Sequence, residues 1–177
     1  SAVSYNMYLI NKFHVHTVYY IPEEALKTHR NKELYKKWVK EGYLKVCGKK
    51  SIDYDMIAND VMEMANYLCI RQIGYDSYKA IEFTNMLGSL GGAKYLQAFG
   101  QTYGNFTSPV QTFEKCLLDD RLTLNANPIN AFCFDNAVLD EDRLENKKPI
   151  KRSAAKKIDG VITALMTMGE FNNYVRH

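Results

Sequence analysis

The chain has 177 residues, 46% apolar and 24% charged, enough for one domain with a sizeable core and too few for two comfortable ones. Its net charge of +3 permits an anionic partner without requiring one. No apolar run approaches the ~18 residues of a membrane span, and no signal peptide is visible. Residues 2–10 carry β-formers from the outset, so the sequence reads as a fragment of a longer polypeptide. Asn11-Lys12 marks a turn, and residues 13–21 alternate as a second strand stopped by Pro22. The two strands are expected to pair as an antiparallel hairpin. Pro22 with Glu23 and Glu24 opens a short helix. A second helix is expected over residues 31–43. A third follows Ser51 and Asp53, with Ile57, Val61, Met64, Ala65 and Leu68 on one stripe.

Residues 69–75 read as a short strand ending at Asp76, followed by a helix over 77–87. Gly88-Ser89-Leu90-Gly91-Gly92 breaks that helix as a turn; it lacks the lysine and order of a phosphate-binding loop. Residues 94–99 form a further strand. Thr107-Ser108-Pro109 starts a helix over 109–118. Asn127-Pro128 begins a turn or short helix, residues 131–139 end as an edge strand, and the last helix spans 153–171. Strands alternating with helices behind an opening hairpin define an α/β domain with a mixed sheet.

Four scattered cysteines, Cys47, Cys69, Cys116 and Cys133, lack the spacing of a zinc or redox motif. Three of them suit a core in a reducing cytoplasm. The chemistry concentrates in two carboxylates. Asp159 interrupts an apolar helical stretch and is expected on an inward face, where it needs an ion pair with Lys156 or Arg152, or a cation. Asp76 stands where a strand meets a helix. It either caps that helix or joins the ligand edge of an open sheet. Together the two suit a hard divalent ion, Mg²⁺ or Mn²⁺, one or two in number, of the kind that assists phosphodiester cleavage.

Lys147, Lys148, Lys151, Arg152, Lys156 and Lys157 place six cations within eleven residues, directly before Asp159. They form either a solvated loop or a phosphate-contacting flank. The acidic residues Asp135 and Asp140 to Glu145 precede them, and a β-hairpin could keep the two signs apart. His14 and His16 share a strand face without further ligands, and Trp38 suits a core better than a stacking platform. Asn127 and Asn136 are either turn residues or hydrogen-bonding support for the acidic site.

Lys157-Ile158-Asp159-Gly160-Val161-Ile162-Thr163-Ala164-Leu165-Met166 follows Asn127-Pro128-Ile129 and Asn136-Ala137-Val138. With Tyr19-Tyr20-Ile21-Pro22-Glu23-Glu24, Ile73-Gly74-Tyr75-Asp76 and Phe99-Gly100-Gln101 before Ser108-Pro109, this order resembles the carboxyl-terminal nuclease domain of tailed-bacteriophage large terminase subunits. The resemblance covers essentially the whole chain. It implies a ribonuclease H-like fold, a central mixed β-sheet with an opening antiparallel hairpin flanked by helices, and a single nuclease domain over residues 1–177. The implied activity is that of a Mg²⁺- or Mn²⁺-dependent endonuclease cutting concatemeric double-stranded DNA during packaging. Asp76 matches the family's second catalytic and metal-binding aspartate and Asp159 its last. The first belongs to the opening strand, and residues 1–6 contain no aspartate. The family's upstream ATPase domain has no counterpart here.

The DNA-contacting candidates are Lys148, Lys151, Arg152 and Lys157, led by Lys151, which matches a lysine that often precedes the last aspartate. The implied partners are double-stranded DNA, an ATPase domain, the portal protein and the small terminase subunit, in the host bacterial cytoplasm and away from any membrane. The alternatives are another ribonuclease H-like DNA nuclease of the resolvase or transposase kind, a catalytically silent DNA-binding fragment, and a structural virion protein.

Overall fold

The computed structural model describes residues 1–78 and 80–176. In chain order the elements are β1 (Ala2–Leu9), β2 (Lys12–Ile21), α1 (Ala25–Thr28), α2 (Lys32–Lys40), β3 (Leu44–Val46), α3 (Tyr54–Tyr67), β4 (Ile73–Asp76) and α4 (Ile81–Ser89). A 3₁₀ turn (Ala93–Tyr95) leads to β5 (Leu96–Phe99), α5 (Tyr103–Leu118), β6 (Leu122–Leu124), α6 (Pro128–Asp135), β7 (Ala137–Glu141), β8 (Lys147–Lys151) and α7 (Asp159–Tyr174). The chain divides into two compact units, Ser1–Tyr19 with the chain from Gln101 onward, and Tyr20–Gly100.

In the first unit β1 and β2 form the expected antiparallel hairpin, in register from Ala2↔Tyr19 to Leu9↔Lys12. Ile10 and Asn11 close it with φ of 49° and 62°, the two positive values that a tight two-residue turn requires. The alternation of β2 buries Phe13, Val15, Thr17 and Tyr19. β6 adds in parallel beside residues 13–15, which makes the pairing mixed. α7 packs on β1 and against α5 and α6. It buries Val161, Ala164, Leu165 and Met168. Tyr8, Phe13 and Phe171 form a ring cluster with centroids 4.7 to 4.9 Å apart.

In the second unit α2 turns Tyr35 and Trp38 inward, as the sequence suggests for a core tryptophan. β3 follows the end of β2, Cys47 N–H donating to the Ile21 carbonyl at 2.8 Å. Asp53 caps α3 by accepting from Met56 N–H at 3.2 Å. The Tyr20 hydroxyl and the Lys45 ammonium both donate to Asp60, at 2.9 and 3.0 Å. β4 and β5 pair in parallel, with Asp76 opposite Phe99 at their carboxyl ends.

Several boundaries differ from the expectation. α5 starts six residues before Pro109, because Thr102 caps it through Asn105 N–H and its first turn buries Phe106 completely. Residues 131–135 are helical, since Asn127 caps α6 through Ile129 N–H and only the stretch after Asn136 becomes a strand. Residues 153–158 precede the last helix, which begins at Asp159. The helix expected over 77–87 begins at Ile81; Lys79 lies outside the described residues. β3, β6 and β8, of three to five residues, were too short to show a period in the sequence.

Candidate functional site

Asp159 is the first residue of α7, not a residue of its inward face. Its side chain is 47% exposed, so the desolvation cost expected for an inward aspartate is largely absent. At a helix amino terminus, backbone N–H groups and the helix dipole favour a negative charge. The ion pair expected with Lys156 or Arg152 does not form. Arg152 Nε donates instead to the Asp135 carbonyl at 2.8 Å.

The floor by Asp159 is polar, with Thr17, Tyr19 and Asn130 buried and Ser4, Asn125 and Thr163 half-buried. Tyr19 donates its hydroxyl to Asn130 Oδ1 at 2.7 Å. Asn130 Nδ2 in turn donates to the carbonyl and the Oδ1 of Asn125, at 2.8 and 3.1 Å. Asn125 extends the β6 pairing with its side chain, accepting from Thr17 N–H at 2.9 Å and donating to the Thr17 carbonyl at 3.1 Å. The Ser4 hydroxyl bonds those of Thr17 and Thr163, each at 2.8 Å, and Thr163 donates to the Asp159 carbonyl at 3.1 Å. Asn136, expected as a supporting group, donates to the Lys157 carbonyl at 3.2 Å. Burial pushes the Tyr19 hydroxyl and the Cys133 thiol up from their usual ranges, so both stay protonated at neutral pH.

Asp76 ends β4 on the carboxyl edge of a parallel strand pair, where ligands of open α/β sheets collect. It does not cap α4, whose first turn follows Ala80 without a side-chain cap. Its Oδ1 accepts instead from Tyr78 N–H at 3.0 Å in a local turn. Asp76 belongs to the second unit and Asp159 to the first.

The basic candidates divide by environment. Lys148 lies opposite Asp140 in the β7–β8 hairpin, its ammonium 5.7 Å from the Tyr103 ring centre. Tyr103 donates to Asp140, a bond that holds its phenol above the usual range. Lys147 pairs across from Glu141. The hairpin thus sets opposite charges side by side rather than keeping them apart. Lys151, Arg152 and Lys157 are exposed. His14 bonds Thr123 through Nδ1 at 2.9 Å and His16 is exposed, in keeping with ordinary surface positions.

Among the described residues no group of three His, Cys, Asp or Glu side chains gathers to hold a metal. Magnesium does not require one, since it commonly takes one or two carboxylates and completes its octahedron with water and phosphate oxygens. A half-exposed carboxylate at a helix start is, taken singly, a donor of that kind, and so is one at the carboxyl edge of a parallel strand pair. Sequence reasoning missed Ser4, Thr17, Tyr19, Asn125, Asn130 and Thr163. Thr17 and Tyr19 had a signal, as polar residues at inward positions of β2 once its alternation is taken literally; Ser4, Asn125, Asn130 and Thr163 had none.

A mixed sheet flanked by helices, here β1, β2 and β6 with α7 packed on β1, belongs to the ribonuclease H-like architecture, and this chain has that fold. The family model of the terminase large subunit endonuclease domain matches residues 3–174, and the chain belongs to that family. It is 27% identical to the large terminase subunit of Enterobacteria phage HK97 over 159 residues, 89% of this chain and 32% of the phage protein. It is 26% identical over 157 residues to protein YmfN of Escherichia coli strain K12, covering 86% of this chain and 33% of that one. The crystal structure of the HK97 large terminase superposes with a TM-score of 0.85 at 25% identity, over 96% of this chain and 36% of that one. The chain therefore spans about a third of the length of these relatives.

Proposed function

We propose that the chain is the nuclease domain of a phage DNA-packaging terminase and cuts concatemeric double-stranded DNA with the help of Mg²⁺ or Mn²⁺. The observation that carries this reading is Asp159, a half-exposed carboxylate at the start of an otherwise buried helix in a chain matched end to end by the endonuclease family. Asp159 and Asp76 are each read as a carboxylate ligand for a divalent cation. A bound cation supplies Lewis acidity toward the scissile phosphate and makes water a stronger acid. The remaining work falls to the protein. The carboxylates offer hard oxygen donors, and the polar floor keeps the start of α7 in place. Lys151, Arg152 and Lys157 position the duplex through its phosphates, which carries no sequence preference, while Lys148 is turned to the Tyr103 ring within the hairpin. In this reading the whole chain acts as one nuclease domain, working with an ATPase domain, the portal protein and the small terminase subunit in the host cytoplasm.

Replacing Asp159 with Asn in the full-length polypeptide is expected to abolish Mn²⁺-dependent plasmid cleavage while leaving DNA retention on a gel unchanged. Asp76→Asn is expected to behave alike. Cleavage at the parent rate in either variant removes that residue from the catalytic pair. A resolvase-like duty would show instead as preferential cutting of branched DNA.

A further inference from the structure

α7 begins without a cap. Its N-cap position is Ile158, which has no side chain able to accept from the first-turn N–H groups. A first turn left that way frays, and a carboxylate carried on it wanders. Yet this turn carries Asp159.

Two hydrogen-bonded arms reach it, both rooted at Asn125. One runs from Asn125 through Asn130 to the Tyr19 hydroxyl, at 2.8 to 3.1 Å and then 2.7 Å. The Tyr19 hydroxyl lies so close to Gly160 that a Cβ there would stand 2.0 Å from it. The other runs from Asn125 to the Thr17 backbone, then from the Thr17 hydroxyl through Ser4 to Thr163, which closes on the Asp159 carbonyl. Tyr19, Thr17 and Asn130 are at least nine-tenths buried, and the Tyr19–Asn130 bond is shielded from water and holds its geometry; the other bonds are half-buried. One arm presses the turn at residue 160 and the other ties it at residue 163, on either side of the peptide that fixes the Asp159 Cα.

We propose that this two-armed network, acting through Tyr19 on Gly160 and through Thr163 on the Asp159 carbonyl, braces the first turn of a helix that lacks a side-chain cap at Ile158 and positions the Asp159 carboxylate for a divalent cation. Tyr19, Asn130, Ser4 and Thr163 are positioning residues; none has to touch the cation or the DNA. The inference rests on the assignment of Asp159 as a cation-holding residue. Gly160 is then required for contact rather than for flexibility, because any side chain drives the turn off Tyr19.

The test is Mn²⁺ titration of the full-length polypeptide, followed by the free-ion electron paramagnetic resonance signal, with thermal midpoints measured alongside. Thr163→Val removes the hydroxyl and keeps the shape; Thr163→Ser keeps the hydroxyl. Thr163→Val and Tyr19→Phe are each expected to weaken Mn²⁺ binding about tenfold, the usual scale for a lost supporting partner. Thr163→Ser is expected to retain affinity within about twofold, a margin well inside that supporting-partner effect. A merely structural role for the hydroxyl would lower the midpoint of Thr163→Val and leave affinity alone. If Asp159→Asn loses Mn²⁺ binding while Thr163→Val and Tyr19→Phe keep it, the positioning role is overturned and the cation assignment stands. If Asp159→Asn itself binds Mn²⁺ like the parent, both fall together. Should Tyr19→Phe fail to fold, the Thr163 pair decides alone.

Discussion

Glu170 is a carboxylic acid placed where water barely reaches it. It lies on α7 at 6% exposure, and neither side-chain oxygen has a hydrogen-bond partner among the described residues. Burial pushes its pKa up from 4.5 to about 7. The folded chain therefore keeps a proton between those values that the unfolded chain has already released. Stability falls as pH rises through this window, and the whole penalty is present above about 7. The shift corresponds to about 3 kcal/mol at most. Glu170→Gln, which imitates the protonated acid, is expected to stabilise the protein at pH 8 and to change little at pH 4.5. Urea denaturation at the two pH values checks this, and an equal effect at both would rule out ionisation as the cause. Nothing in the sequence singled out Glu170, because a glutamate in a helix gives no sign of which way it faces. Asp159 did stand out, as a charge in an apolar stretch. Its surroundings were misjudged because the helix was expected to start six residues too early, which placed a first-turn residue in mid-helix.

At the scale of elements, the opening hairpin was legible because alternation and the Asn11 turn signal agreed. The sequence did not disclose that the turn places Ile10 in the left-handed region. Its φ is 49° and its side chain is fully exposed, so strain there is offset by no packing. Asn tolerates that conformation far better. Ile10→Asn is expected to raise stability by about 1 kcal/mol, the scale of one left-handed non-glycine residue. An unchanged or lower urea midpoint would show that Ile10 is not strained in solution. The long amphipathic helices were equally readable, since Asp53 and the apolar stripe of α3 announce both its start and its buried face. What stayed hidden had a local reason each time. Pro109 suggested a helix start, but α5 runs through it despite the backbone bond it removes, with the Thr102 cap and the buried Phe106 holding the turns before it. β6 and β8 owe their form to partners distant in sequence, Phe13 to Val15 for one and residues 137–141 for the other.

Across the whole chain the net charge is small, so the proposed attraction to DNA would come from where cations are left uncommitted rather than from their number. The basic segment before Asp159 was visible as a run; which of its members are available was not, because the β7–β8 hairpin decides it. Lys148 is opposite Asp140 and over Tyr103, whereas Lys151 and Lys157 stand exposed near the start of α7. Each phosphate contact releases counterions and steepens the decline of affinity with salt by about one unit on a log–log plot. Lys151→Ala and Lys157→Ala are therefore each expected to flatten that slope by about one, and equally on two duplexes of unrelated sequence. Lys148→Ala is expected to leave the slope nearly as it was, its charge being already engaged within the hairpin. Filter-binding isotherms at four or more salt concentrations measure all three. A flattened slope for Lys148 with none for Lys151 and Lys157 would move the DNA track from the start of α7 onto the hairpin face.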